Sequence, residues 1–171
     1  MIRNFFSLVF ALCLMWLSGW AYGDEPNSDR VSEIAVASEI VIIANASVPV
    51  NAISLNELRS IFTMKKRIWD ASGHPSQSVK VFVLPNDHAV HKEFCKQQLN
   101  IFPAQLEKVW YRMVYTGTGQ APVRVNTVTD MLHRIASTPG AIGYVERPQS
   151  DNNNNPEIHR DEKNTKILQI R

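Results

Sequence analysis

His88, His91 and Cys95 are the residues of this chain best suited to bond formation. They are two imidazoles and a thiol at positions i, i+3 and i+7, and they share one face if the segment Asn86-Asp87-His88-Ala89-Val90-His91-Lys92-Glu93-Phe94-Cys95 is helical. Imidazole and thiolate bind zinc or copper, so the trio could hold such an ion. The segment has neither a fourth ligand nor a chelating signature, and His91 in solvent, Cys95 half-buried and His88 near a helix start is an equally ordinary arrangement. The backbone offers another chemistry. A helix beginning after Pro85-Asn86-Asp87 presents unpaired N–H groups, which attract an anion through their donors and the helix dipole. Asp87 as N-cap would fill that place instead. Metal site, anion site and plain capped helix all stay open.

Thr116-Gly117-Thr118-Gly119 is a second candidate for an anion, flanked by Arg112 and Arg124. It lacks the Lys-[Ser/Thr] ending of a P-loop and the third glycine of a dinucleotide fingerprint. The chain has no Gly-x-Ser-x-Gly elbow and no His-Glu-x-x-His motif, so neither an enzymatic reaction nor a cofactor is expected. Trp69 and Trp110 are assigned to the core or to a groove lining.

These groups must be positioned by alternating strands and helices. Glu39-Ile40-Val41-Ile42-Ile43-Ala44 is a β-branched run expected to be a strand buried on both faces. Ser54-Leu55-Asn56-Glu57 is a capping box, followed by a stripe of Leu55, Leu58, Ile61 and Phe62. Val79 to Leu84 is a second strand, and a helix is expected from about His88 to Leu99 with Val90 and Phe94 inward. Pro103 opens a helix striped by Leu106, Val109, Trp110, Met113 and Val114. Thr127 with Asp130 resembles a second capping box, with Val128, Met131, Leu132 and Ile135 behind it. Ala141 to Val145 is a short strand, and Ile167 to Ile170 a last edge strand. The alternation predicts an α/β fold with a mostly parallel sheet and helices on both faces.

The 171 residues suffice for one domain with a core and are too few for two of full size. Eighteen Lys and Arg against sixteen Asp and Glu give a net charge of +2, without the basic face of a nucleic-acid binder. Residues 1–23 have a basic start, an apolar run from Phe5 to Trp20 and a small-residue ending at Ala21-Tyr22-Gly23, the pattern of a secretory signal peptide. Its removal takes Cys13 and leaves Cys95 alone, so no internal disulfide can form. The expected organisation is a signal peptide over 1–23, a flexible polar segment over 24–39, the α/β domain over 40–148, and an asparagine-rich linker and tail over 149–171.

Several stretches resemble one family. Val48-Pro49-Val50, Ile53-Ser54-Leu55-Asn56-Glu57-Leu58-Arg59-Ser60-Ile61-Phe62 and Lys65-Lys66-Arg67-Ile68-Trp69 are similar to phosphate ABC transporter substrate-binding proteins. Phe94, Trp110, Thr116 to Pro122 and Pro139-Gly140-Ala141-Ile142-Gly143-Tyr144-Val145 follow in the same order, so the resemblance runs from about Ile40 to Val145. It is greatest to the short, single-lobe members. The resemblance implies one lobe of a type 2 periplasmic binding protein-like fold, exported to the periplasm, non-catalytic and binding phosphate or a similar oxyanion. It implies as partners the membrane component of an ABC transporter or another envelope protein, or a second copy in a homodimer. Full-length relatives close two lobes on phosphate and hold it with helix N-terminal amides and hydroxyls. Carried over, that places Asp87, His88 and Ala89 at the anion, with Thr116, Gly117, Thr118 and Gly119 as the second group. His88, Ala89 and Val90 stand where the family has serine, glycine and threonine, which leaves backbone amides and the His88 ring as donors. The alternatives are a protein-interaction module that kept the fold without the ligand, and a metal-binding protein using His88, His91 and Cys95.

Overall fold

Ile40-Val41-Ile42-Ile43-Ala44 carries no polar side chain to turn toward solvent, so an extended chain of that composition has to be covered on both faces. In the computed structural model, which describes residues 39–147 and 164–171, this stretch is β1 (Ile40–Asn45) and every residue of it is buried. After it come β2 (Ala52–Ile53), α1 (Leu55–Phe62), β3 (Ile68–Trp69), β4 (Gln77–Ser78) and β5 (Lys80–Val83). Then follow α2 (Ala89–Phe94), running into a π-helical turn at Cys95–Leu99, and α3 (Pro103–Tyr115), β6 (Val123–Arg124), α4 (Val128–Ser137), β7 (Ala141–Glu146) and β8 (Thr165–Ile170). The expected signal peptide, nearly all of segment 24–39 and the asparagine run from Asp151 to Pro156 lie outside the described residues.

Six strands form one sheet in the order β2-β8-β1-β7-β5-β6, and β3 and β4 pair separately. β1 is antiparallel to both of its neighbours, while the other three pairings are parallel. Five strands therefore run one way and β1 alone runs back, so the sheet is mostly parallel, as expected. Helices cover both faces. Successive residues of a strand point to opposite sides, and on β7 a Cβ added at Gly143 would meet Ile135 and Met131 of α4, whereas Tyr144 packs on Phe62 of α1 and Phe94 of α2.

The caps follow the sequence closely. Ser54 accepts from the Glu57 amide and Thr127 from the Asp130 amide. Glu57 turns its carboxylate to Lys66 at 2.6 Å. Pro103 occupies the first turn of α3, where a missing N–H costs nothing. Trp69 and Trp110 are both core residues, and each indole N–H donates to a main-chain carbonyl, that of Gly140 and that of Phe62 respectively.

Four expectations are corrected. Leu55 and Val114, placed in buried stripes, are exposed, because each lies at the margin of a stripe whose centre is filled by Leu58, Ile61 and Phe62 or by Leu106 and Trp110. The helix from His88 does not stay α-helical to Leu99 but widens at Cys95. β8 is not an edge strand: it lies between β1 and the short β2. Its central Leu168 is accordingly buried.

The pairing of β5 with β7 requires a tight approach at the turn before β7. Gly140 has φ +77°, and a Cβ there would collide with the carbonyl oxygen of Ser78. At Gly143 a Cβ would come within 2.7 Å of Ile135 Cδ1 and 2.8 Å of Met131 Sδ. Gly143→Ala should therefore lower the free energy of unfolding by about 1–3 kcal/mol in urea titration, the usual cost of overpacking a core.

Candidate functional site

In open α/β sheets ligands gather at the carboxyl ends of the parallel strands. Here that end is built by Pro85-Asn86-Asp87-His88 after β5, by Arg124 at the end of β6, and by the first turns of α2 and α3. Glu107 of α3 is the hub of its polar groups. It accepts from Asn86 Nδ2 at 2.6 Å and Tyr111 Oη at 3.2 Å, and it forms an ion pair with Arg124. The Arg124 hydrogen bond above all holds the Glu107 carboxyl below its ordinary range. Asn86 Oδ1 is buried without a partner among the described residues. Asn86 lines a cavity of about 570 Å³, together with Lys92, Lys96, Ile101 and Phe102.

Of the expected oxyanion residues, Asp87 is exposed and does not cap the helix. The cap is His88, whose Nδ1 accepts from the Val90 amide at 3.2 Å. The His88 amide donates to Pro85 O at 3.0 Å, and the Ala89 amide has no partner among the described residues. Thr116-Gly117-Thr118-Gly119 closes the carboxyl end of α3. Gly117, at φ +65°, donates to Val114 O, while the Thr118 and Gly119 amides both donate to Met113 O. Those amides satisfy helix carbonyls, and they lie at the negative pole of the helix.

The two groups are not brought together. β6 runs parallel to β5 with Phe82 opposite Val123, so residues 116–119 precede β6 at the amino end of the strands, while 87–89 follow β5 at the carboxyl end. Glu107 and Thr116 are nine residue steps apart along α3, about 13 Å of helix rise.

The metal trio is also dispersed in role. Among the described residues no group of three His, Cys, Asp or Glu side chains can hold a metal ion. His91, expected either as a ligand or in solvent, is fully buried and hydrogen-bonded through Nδ1 to Tyr144 Oη. Tyr144 Oη also accepts from the Leu84 amide at 3.0 Å, so its own hydrogen goes to His91 Nδ1. His91 Nε2 then carries the ring hydrogen and faces Cys95 Sγ at 3.6 Å. This tautomer follows from the network. Burial first, then the charges of Arg124 and His88, push the His91 pKa down to about 4, against a smaller opposing effect of Glu107. Burial pushes the Cys95 thiol up to about 12, and Tyr144 well above its ordinary value. These are neutral core groups. Sequence reasoning missed this network and the Glu107 hub because Tyr144, Arg124 and Glu107 are far from residues 86–95 in the chain; only the apolar neighbours Val90 and Phe94 hinted that this helix faces inward.

A sheet with one reversed strand, helices on both sides and a polar wall at the strand ends is one lobe of the type 2 periplasmic binding protein fold. The chain belongs to the PBP superfamily domain family, whose model matches residues 25–170. It is similar in structure to an ABC-type phosphate transport receptor from Vibrio cholerae, at 14% identity and a TM-score of 0.55, over 78% of this chain and 46% of that one. The likeness to PstS from Borrelia burgdorferi has the same identity and TM-score and covers 47% of that protein. The chain thus spans less than half the length of these solved structures. No curated protein matches the sequence. Among the described residues no helix is long and apolar enough to cross a membrane.

The neutral His91 makes stability depend on pH. Its folded value near 4 lies below the unfolded 6.5, so between them the unfolded chain binds more protons. This contribution is complete above pH 6.5 and is lost as pH falls toward 4, about 3 kcal/mol in all. Urea midpoints measured across that range should fall in the wild type and flatten in His91→Gln. Tyr144→Phe, which strands the Leu84 amide and His91 Nδ1, should cost about 1–3 kcal/mol at neutral pH.

Proposed function

We propose that this chain is a periplasmic, non-catalytic solute-binding protein that takes an oxyanion, phosphate foremost, on the wall at the carboxyl ends of β5 and β6. The observation that carries this reading is the Arg124–Glu107 ion pair, to which Asn86, two residues before His88, is hydrogen-bonded through Glu107. Arg124 is half-exposed, and its guanidinium can exchange one carboxylate for a bidentate phosphate. The Ala89 amide and the His88 ring supply the remaining donors, and Asp87 next to them is exposed. The family and the likeness to a phosphate transport receptor support the ligand class. The amino-terminal sequence pattern supports export.

A single wall leaves much of a ligand in water, whereas ordinary sites bury 70–90% or more of it. The second surface is assigned to another copy of the chain, to the membrane component of an ABC transporter, or to another envelope protein. One observation favours a second reading, an interaction module without a ligand: Glu107 already neutralises Arg124 and is itself tied to Asn86 and Tyr111.

Isothermal titration of the purified protein with phosphate, using sulfate as the control, separates the two. Phosphate should bind in preference to sulfate, Arg124→Ala should weaken it about tenfold or more, and Glu107→Gln should tighten it by freeing Arg124. Silence at millimolar phosphate in both the wild type and Glu107→Gln would overturn the oxyanion reading and leave the interaction module.

A further inference from the structure

The cavity of about 570 Å³ that Asn86 lines has no part in the oxyanion reading. Its backbone is unusual. The chain after α2 widens into the π-helical turn at Cys95–Leu99, and Asn100 then takes φ +51°. Single π-helical turns of this kind recur at functional sites. Beyond the turn, Ile101, Phe102, Pro103 and Ala104 line the same cavity as Lys92 and Lys96. Phe102 is 74% exposed and occupies the N-cap of α3, a position that favours serine, threonine, asparagine or aspartate. An aromatic ring cannot accept the helix amides. The position therefore gives up local stability and holds an apolar surface at the cavity instead.

The polar lining sorts by what is already bonded. Asn86 Nδ2 donates to Glu107, Gln105 Oε1 accepts from the Phe102 amide at 3.2 Å, and Glu93 accepts from Gln97 at 3.1 Å. Lys92 and Lys96 form no ion pair with any described residue. They stand four residues apart along the helix, where like charges repel. An anion held by both removes that repulsion. Other cavities lack such a pair of cations. In the one of about 410 Å³ next to β6, Arg67 donates to Thr118 O, which leaves Lys80. In the one of about 440 Å³ by β8, Arg147 is paired with Glu39.

We infer that this cavity is a second ligand site, which takes a small amphipathic carboxylate. The apolar body lies against Ile101, Phe102, Pro103 and Ala104, and the carboxylate is held by Lys92 and Lys96. Sites for small molecules are recesses of about 300–1,000 Å³ with mostly apolar walls and a few polar groups that fix orientation. A cavity of about 150 Å³ already holds a benzene ring, so an acyl chain of about ten carbons has room here. The carboxyl terminus of a protein, with an apolar last residue, is the competing source of the same chemistry. It is disfavoured because a peptide brings amide groups that need partners, and the side-chain amides of Asn86 and Gln105 are already bonded.

The test is isothermal titration of the purified protein with decanoate, using decyltrimethylammonium and butyrate as controls. Decanoate should bind, whereas the cation with the same chain and the short acid with the same head should not. Lys92→Gln/Lys96→Gln should weaken decanoate about tenfold or more, and Glu93→Gln should tighten it. Lys65→Gln/Lys108→Gln removes two charges outside the cavity and should leave it unchanged. Phe102→Ser should weaken binding while the thermal midpoint holds or rises, because serine caps the helix. A loss of binding with that sign does not come from unfolding. Circular dichroism checks that the other variants are folded. Silence toward decanoate at millimolar concentration, or affinity that Lys92→Gln/Lys96→Gln leaves intact, overturns the proposal. Equal binding of decyltrimethylammonium overturns it as well, since charge then plays no part. Displacement of decanoate by phosphate beyond the effect of matched sodium chloride overturns it too, because the carboxylate would then occupy the oxyanion wall. Tighter binding of an acetylated peptide ending in leucine overturns it in favour of a protein carboxyl terminus. This site does not rest on the phosphate reading, so failure of the phosphate titration leaves it standing.

Discussion

The hydroxyl of Tyr144 is a polar group that the apolar interior cannot expel, and the packing of one face of the sheet follows from how it is satisfied. It accepts the Leu84 amide, just beyond the end of β5, and gives its hydrogen to His91 on α2. The ring lies flat on Phe94, with centroids 3.8 Å apart and planes 3° apart, and tilts against Phe62 of α1. Strand β7, the strand end of β5 and two helices are thereby tied to one side chain. An unmade hydrogen bond in such a place costs far more than a made one contributes, so the directions of the bonds are as fixed as the packing. The consequence reaches the chemistry. His91 has to stay neutral, and the Cys95 thiol has to stay protonated. The imidazole and thiol that look most reactive in the sequence belong to the interior.

What remains for binding lies on the surface, and it is polarised. The carboxyl ends of the strands carry a mutually neutralised set, with Glu107 meeting Arg124, Asn86 and Tyr111. On the outer side of α3, Lys108 and Arg112 form no ion pair with a described residue, whereas in the turn after α1 Lys66 is met by Glu57. The chain spans less than half the length of the solved structures it resembles, and its described residues present one wall at the strand ends.

Much of the fold was legible because it rests on local periodicity. The β-branched run of β1, the serine and threonine caps of α1 and α4, the proline opening α3 and the Gly-Ala-Ile-Gly-Tyr-Val strand all stand where the sequence puts them. The misplacements have a common cause. Leu55 and Val114 have the right residue type, but each sits at the margin of an apolar stripe, and only the neighbouring elements decide how far burial extends. β8 reads as an edge strand because nothing in six residues announces that two-residue β2 will pair along its far side.

The sequence by itself determined an α/β lobe with one doubly buried strand, where its helices begin, and its likeness to phosphate-binding receptors, since these depend on residue type at short spacing. Tertiary structure alone decided which polar groups are spent. His88 and the Thr116–Gly119 loop looked like one anion site and stand at opposite ends of the sheet. His88, His91 and Cys95 looked like one metal site and became a cap and two links of a buried chain. Whether a donor is free depends on partners brought in from distant parts of the chain, here Tyr144, Arg124 and Glu107. That pairing is set by the direction and register of the strands, which no local pattern encodes.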